Sequence, residues 1–140
     1  MVTTQLPESP TRPATRRQRA IAVAASAAAG AGIWLVAVPV LGHELMVERW
    51  DTGDAMPVGL GHVVTTALVA GLAGWATRAL ADRLASRSRL IWTVVATIVL
   101  AASLGMPATA ATTTATAVTL TLMHLAVGAI LIAGLSRSSR

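Results

Sequence analysis

The sequence has no cysteine, and lysine, asparagine, phenylalanine and tyrosine are also absent from its 140 residues. Without cysteine the chain cannot form disulfides, bind metals through thiolates, use a thiolate nucleophile or be S-acylated. Charge is scarce as well, because only 12% of the residues are charged, against about 25% in a typical soluble domain. These absences exclude several classes of redox protein and enzyme, and they point to lipid as the solvent.

What the sequence does contain is mostly apolar, with 54% hydrophobic residues and a mean hydropathy of +0.67. The formal net charge is +5, and every basic residue is arginine. The arginines flank the apolar runs instead of forming one basic face, so we expect a lipid bilayer and no nucleic acid as partner. The predicted location is the cell (plasma) membrane, as a multi-pass protein.

Uncharged runs predict four membrane spans. After Arg89 no charge occurs until Arg137, a stretch that would be about 70 Å long as one helix, roughly twice the hydrocarbon thickness. This stretch must therefore fold back, and Gly105-Met106-Pro107 is the predicted break. We expect an all-α, antiparallel four-helix bundle with a disordered basic tail over 1–19, a membrane domain over 20–136 and a second tail over 137–140. The spans are predicted over residues 20–41, 57–77, 90–106 and 112–135.

Arginine placement predicts the orientation. Ten of the eleven arginines lie in the two tails or in the connection 78–89, and only Arg49 lies on the other side. Both termini are therefore predicted to be cytoplasmic. Trp75 and Trp92 are predicted at the inner interface and Trp50 at the outer one. A twin-arginine export signal is the alternative for the first span, but its apolar run is longer than a usual signal core and no small-x-small cleavage site follows.

Several catalytic fragments are incomplete. His43-Glu44 lacks the second histidine of H-E-x-x-H, and Asp51-Thr52-Gly53 lacks the second carboxylate and the β-rich scaffold of an aspartic protease. The acidic residues of the 42–56 connection lack EF-hand spacing and read as a solvated loop. We therefore predict no catalytic residue, no metal ligand, no cofactor and no enzymatic activity.

Small residues four apart predict close helix packing within the spans. Arg78 and Asp82 are also four apart and predict an ion pair on the second helix. The four small-residue pairs are Ser26 with Gly30, Ala28 with Gly32, Ala67 with Gly71, and Ala70 with Gly74.

Polar residues inside spans are candidates for function by default. Thr114, Thr121 and His124 recur at helical spacing on one face of the fourth span, and His62 lies in the second span. At helical rise the two histidines differ in depth by roughly 10 Å, too much for one shared metal ion. We predict a neutral His124, bonded across the bundle, and the alternative is a polar vestibule or proton site.

Three stretches resemble an uncharacterised actinobacterial family of small four-span membrane proteins, known only as a domain of unknown function. They are GHVVTTALVAGLAGWATRAL, RLIWTVVATIVLAASLGMP and ATTTATAVTLTLMHLAVGAILIAGL, and the resemblance covers residues 20–136. It implies the four-span topology and no biochemical activity.

The predicted function is that of a non-enzymatic accessory or interaction protein of the cell membrane. Its expected partners are membrane helices, either of further copies in a homo-oligomer or of a larger membrane complex. The alternative is a small transporter or channel that uses the Thr/His face of the fourth span.

Overall fold

A computed structural model describes residues 12–137, with side chains from Thr15 onward. The elements in chain order are α1 (Arg12–Leu35), a π-helical turn (Val36–Val40), β1 (Met46–Glu48), β2 (Ala55–Pro57), α2 (Leu60–Leu84), α3 (Ser88–Ser103), α4 (Gly105–Ala110) and α5 (Thr114–Arg137). Four segments are long and apolar enough to cross a membrane, namely Thr15–Val40, Leu60–Leu84, Ser88–Ala110 and Thr114–Arg137. The predicted all-α architecture with four apolar helices is confirmed.

The four long helices form an antiparallel bundle. α1 packs along α2 and α5, and α3 packs along the same two helices, so α2 and α5 lie between α1 and α3. Gly30 of α1 faces Val63 of α2, whereas Val23 of α1 faces Gly71, which shows that these two helices run in opposite directions. We call the end where α1 begins and α5 ends the arginine-rich end, and the opposite end the hairpin end.

The first helix begins earlier than predicted. Residues 12–19 are helical instead of disordered, and the part of the predicted tail before residue 12 lies outside the described residues. No helix breaker interrupts the segment, because Pro13 stands in the first turn, where a missing N–H costs no hydrogen bond. The helix therefore carries the arginine cluster into the bundle's end instead of leaving it in a tail.

The connection between the first two long helices contains a small antiparallel sheet that the sequence analysis missed. Met46 pairs with Pro57, and Glu48 pairs with Ala55. The turn is closed by Gly53, whose φ of 74° favours glycine and whose N–H donates to the Arg49 carbonyl at 2.8 Å. Pro57 thus ends a strand, and α2 begins at Leu60 instead of at residue 57.

The predicted break at Gly105-Met106-Pro107 does not reverse the chain. A short bend at Leu104 separates α3 from α4, and the reversal follows at residues 111–113. Pro107 is the third residue of α4, and N–H groups in the first turn of a helix have no acceptor within that helix. The N–H that proline lacks therefore costs no hydrogen bond at this position. The proline is therefore tolerated inside this span, and the third span is longer than predicted.

The outside of the bundle is more apolar than a water-soluble protein allows. α3 alone exposes a row of large aliphatic side chains, as expected of a surface that faces lipid chains. The buried contacts form two small clusters, one around Met123 near the hairpin end and one around Trp92 and Leu135 near the arginine-rich end. The exposed row comprises Leu90, Ile91, Val94, Val95, Ile98 and Val99.

Small residues bring the helices together at some of the predicted positions. Gly71 is buried against Val23, and Gly74 faces Trp92 and Leu135. The Ala28 and Gly32 pair is exposed instead, with no atom within 4 Å of a β-carbon at position 32. That part of the packing prediction is wrong, because spacing alone does not identify which side of an alanine-rich helix faces its neighbours.

Candidate functional site

The predicted polar face of α5 is present, but its members do not converge on one site. Thr114 is exposed at the hairpin end, and Thr121 and His124 are half-buried further along the helix. His124 Nδ1 lies 2.7 Å from the carbonyl oxygen of Leu120, one turn earlier on the same helix. The prediction that His124 bonds across the bundle is therefore wrong. The carbonyl four residues earlier in α5 is close enough to bond the imidazole within the same helix.

His62 lies apart from this face. It is the third residue of α2 and is exposed near the hairpin end. Among the residues that the structure describes, no hydrogen bond joins His62 to His124, and no group of three His, Asp or Glu side chains could hold a metal ion. The centre of the bundle beside His124 is filled by apolar contacts, including buried Met123 and the close approach of Leu100 to Gly128.

The threonines at the start of α5 have a structural use. Thr113 Oγ1 accepts a hydrogen bond of 3.1 Å from the Thr116 N–H, as an N-cap does. Thr116 is fully buried, and its hydroxyl lies 3.4 Å from the Glu44 carbonyl. Thr112 donates to the Met46 carbonyl through both its N–H and its hydroxyl. These contacts fasten the hairpin to α5.

The densest polar arrangement lies at the arginine-rich end, around Asp82. Arg78 Nη1 donates to Asp82 Oδ1 at 2.6 Å, which confirms the predicted pair on α2. Arg19 Nη2 of α1 donates to Oδ2 at 2.5 Å, and the Ser88 hydroxyl of α3 donates to Oδ1 at 2.8 Å. Arg78 Nε also donates to the Leu135 carbonyl of α5 at 3.2 Å. This ionic cluster, made of Arg19, Arg78, Asp82 and Ser88, therefore joins all four long helices.

The charges in the ionic cluster are largely removed from solvent. The side chain of Arg78 is 0% exposed, that of Arg19 is 8% exposed and that of Asp82 is 20% exposed. Within the ionic cluster, the guanidinium groups of Arg19 and Arg78 share the carboxylate of Asp82. Nη2 of Arg78 is buried and has no hydrogen-bond partner among the described residues. Arg78 thus has more N–H donors than the described residues around it can accept.

A cleft of about 630 Å³ opens beside the ionic cluster, at the connection between α2 and α3. Its volume falls within the roughly 300–1,000 Å³ range of small-molecule sites. Hydroxyl and guanidinium groups dominate its polar lining, and Leu90 adds an apolar side chain. The residues that line it are Asp82, Ala85, Ser86, Arg87, Ser88, Arg89, Leu90 and Thr93.

Sequence reasoning missed Arg19 and Ser88 as partners of Asp82. A signal was available, because Asp82 is the only acidic residue after Asp54 and stands among arginines. A lone carboxylate at the end of an apolar helix is stabilised by nearby cations, so the arginines around it are candidate partners. Trp92 lies near the arginine-rich end, at the end of the span for which it was predicted, and its side chain is buried between helices. A tryptophan beside small residues on a neighbouring helix can pack inward as well as outward.

The comparisons with known proteins give one match. The model of a family described as "Family of unknown function (DUF6069)" matches residues 10–140. No curated protein and no solved structure matches the chain.

Proposed function

The chain belongs to the DUF6069 family of unknown function, and from the contacts of its own residues we propose that it is a non-enzymatic accessory or interaction protein of the cell membrane. It crosses the plasma membrane four times, and both termini lie in the cytoplasm. Its partners are membrane helices, either of further copies or of a larger complex.

The distribution of charge supports this orientation. Within the described side chains, eight arginines and one acid lie at the arginine-rich end, whereas Arg49 and four acids lie at the hairpin end. Short basic segments stay in the cytoplasm during insertion. The arginines at this end are Arg16, Arg17, Arg19, Arg78, Arg83, Arg87, Arg89 and Arg137.

The observation that carries the non-enzymatic proposal is the local bonding of polar groups along the spans. Ser26 donates to the Val23 carbonyl, Thr77 to that of Ala73 and Ser103 to that of Leu100. His124 bonds within its helix in the same way. An enzyme needs an acid, a base or a nucleophile that converge on one substrate position. These polar groups are instead directed at backbone carbonyls of their own helices.

The uncovered face of α3 supports an interaction role. Only 11% of the most apolar stretch of the third span is buried, against 33% for the first span. α3 contacts α2 and α5 along one side, which leaves Val95, Ile98 and their neighbours exposed. In a bilayer such a face meets lipid chains or a helix of another chain.

The orientation can be tested with single cysteines, because the chain has none of its own. A membrane-impermeant maleimide applied to intact cells should label Thr52→Cys on the hairpin. The same reagent should label Ser86→Cys, between α2 and α3, only after the membrane is opened. Labelling of position 86 in intact cells would refute the proposed orientation.

The interaction role can be tested with a photo-crosslinking amino acid at Ile98, followed by purification from the native membrane. We expect cross-links to a defined protein, either a second copy or a partner with membrane spans. The matched control is the same probe at Val69, an exposed residue of α2, which should capture less. Equal capture at both positions, or lipid adducts alone, would contradict the proposal.

The transport alternative predicts uptake through the Thr/His face of α5. Proteoliposomes with the wild-type chain should then take up protons or a solute, and a well-folded His124→Gln variant should lose that uptake. We expect wild-type uptake at the level of empty liposomes. Uptake that depends on His124 would replace the accessory role with transport.

A further inference from the structure

Trp50, in the turn of the hairpin, is the most exposed large apolar residue in the part of the chain that the structure describes. It is 98% exposed. The other exposed large apolar residues lie within the four segments that are apolar enough to cross a membrane, apart from Leu41, which directly follows the first of them. Contact with lipid chains therefore does not account for the exposure of Trp50, which stands ten residues beyond that segment.

The outer face of the hairpin sheet adds further uncovered surface. Val47 of β1 packs against the buried cluster near the hairpin end. Successive side chains of a strand point to opposite faces, so Glu48 and its cross-strand partner Ala55 lie on the other face, together with Pro57. All three are exposed, and no described segment covers them. We call this face and the adjoining turn the hairpin surface, which comprises Glu48, Trp50, Asp54, Ala55 and Pro57.

The charge of the hairpin surface is negative. Arg49, the base of this segment, is paired with Asp51 through two bonds of 3.2 and 3.3 Å. Glu48 and Asp54 are exposed, and neither forms a salt bridge with another of the described residues. A surface of complementary charge therefore carries lysine or arginine side chains.

The hairpin is held in position from several sides. The Arg49 N–H donates to the Asp54 carbonyl at 2.9 Å across the turn. At the base of the hairpin, Trp34 Nε1 donates to the Val58 carbonyl at 2.7 Å, and the Thr112 hydroxyl donates to a carbonyl of β1 at 3.1 Å. A surface that is ordered before it binds loses little conformational entropy on binding.

The bilayer interface is the other environment in which an exposed tryptophan is common. Carboxylates flank Trp50 at positions 48, 51 and 54, and the phosphates of lipid headgroups repel them. A cationic side chain of a protein is attracted both by these carboxylates and by the face of the indole, the aromatic ring that binds cations best. Tryptophan is also enriched among the residues that dominate the energies of protein interfaces.

We propose that the hairpin surface binds a basic segment of another protein, with an arginine or lysine side chain stacked on the indole of Trp50. The carboxylates of Glu48 and Asp54 pair with further cations of the same segment. This surface lies outside the apolar segments, so its binding is independent of whether α3 contacts a membrane helix. In the orientation proposed above, the partner meets the hairpin on the extracytoplasmic side.

The test uses the purified full chain in a non-ionic detergent. The probe is a fluorescent peptide of alternating glycine and arginine, and the matched control peptide has glutamate in place of arginine. Fluorescence anisotropy measures the affinity of each peptide. In a chain whose four tryptophans carry ¹⁵N, NMR shows which indole N–H signal moves, and the signal that is missing from Trp50→Phe identifies Trp50.

The arginine peptide should bind and shift the Trp50 signal, but it should leave the signal of the buried Trp92 in place. Trp50→Leu keeps an apolar side chain without the aromatic face and should weaken binding about fivefold. Leu41→Ala removes an exposed apolar side chain at the same end and should leave binding unchanged. No binding of the arginine peptide, equal binding of the glutamate peptide, or wild-type affinity in Trp50→Leu would overturn the proposal.

Two further measurements separate the hairpin surface from general electrostatic attraction and from the bilayer. Glu48→Gln should weaken binding more than Glu44→Gln, which removes an exposed carboxylate outside the hairpin surface. Equal losses would show attraction to the acidic end as a whole and would contradict the proposed site. In nanodiscs that contain a spin-labelled phospholipid, the Trp50 signal should persist. Its loss there would place Trp50 in the bilayer interface and would also overturn the proposal.

Discussion

Arg19 donates a hydrogen bond of 2.5 Å to the carboxylate of Asp82, although 63 residues separate the two along the chain. The bond joins the first turns of α1 to the last turn of α2. Arg19 lies in the part of α1 that precedes the apolar run. The pair makes the arginine-rich end an ordered part of the bundle.

Loss of Asp82 should be strongly destabilising. Asp82→Asn would remove the carboxylate that pairs with the fully buried Arg78 guanidinium, at a cost of about 3 kcal/mol in the free energy of unfolding. Arg19→Gln should cost less, because Arg78 still pairs with Asp82. Equilibrium unfolding in mixed detergent micelles measures the change in the free energy of unfolding for both variants. The matched control is Glu48→Gln on the exposed hairpin, and an equally large loss there would contradict the role of the ionic cluster.

The closest approach of α1 and α5 should tolerate no added methyl group. A β-carbon at Gly134 would lie 2.5 Å from Cβ of Ala22, an atom that no rotamer change can move away. Gly134→Ala should therefore force the helices apart, at a cost of about 1–3 kcal/mol. Gly32→Ala, which meets nothing within 4 Å, is the control and should change the thermal midpoint little. Similar midpoints for the two variants would place the α1–α5 contact elsewhere.

His124 and its neighbour Met123 should respond differently to substitution. His124→Leu removes a bond to a carbonyl that also accepts the helix hydrogen bond, so it should cost less than about 1 kcal/mol. Met123→Ala empties part of the buried cluster near the hairpin end and should cost about 2–3 kcal/mol. Thermal unfolding in detergent ranks the two. A larger loss for His124→Leu would reveal a contact of the imidazole across the bundle.

Thr113 and Thr114 are adjacent and identical, but only the first caps α5. Thr113→Ala should cost about 1 kcal/mol, because the Thr116 N–H loses its acceptor. Thr114 is exposed, and its substitution by alanine should leave stability nearly unchanged. Hydrogen exchange at the start of α5 would show the difference directly. Equal protection in both variants would mean that the cap contributes nothing.

The number of long helices and their apolar character follow from features that are visible in the sequence. Charge-free runs of membrane length leave the backbone no alternative to helix, since lipid offers no hydrogen bonds. The Arg78–Asp82 pair was predictable for a similar reason, because helical geometry alone brings residues four apart together. Each of these inferences depends on local spacing.

The parts that sequence reasoning missed depend on contacts between distant segments. Arg19 reaches Asp82 only because α1 and α2 pack in the axial register that brings the two residues side by side. Periodicity in an alanine-rich helix does not determine that register. The hairpin was more accessible, since Gly53 within Asp51-Thr52-Gly53-Asp54 is a turn signal between short strands. The sequence does not distinguish a bond of His124 within its own helix from a bond across the bundle, because either would give the imidazole a hydrogen-bond partner.

The hairpin end has a consequence for how the protein is made. The Met46 and Glu44 carbonyls bond to Thr112 and Thr116, which lie 66 and 72 residues later in the chain. A ribosome delivers the hairpin long before these partners exist, whereas Trp34 can already donate to the Val58 carbonyl once two helices are inserted. Arrival of α5 therefore completes the bonding of a loop that was synthesised much earlier, so the last of the four long helices closes the hairpin end of the bundle.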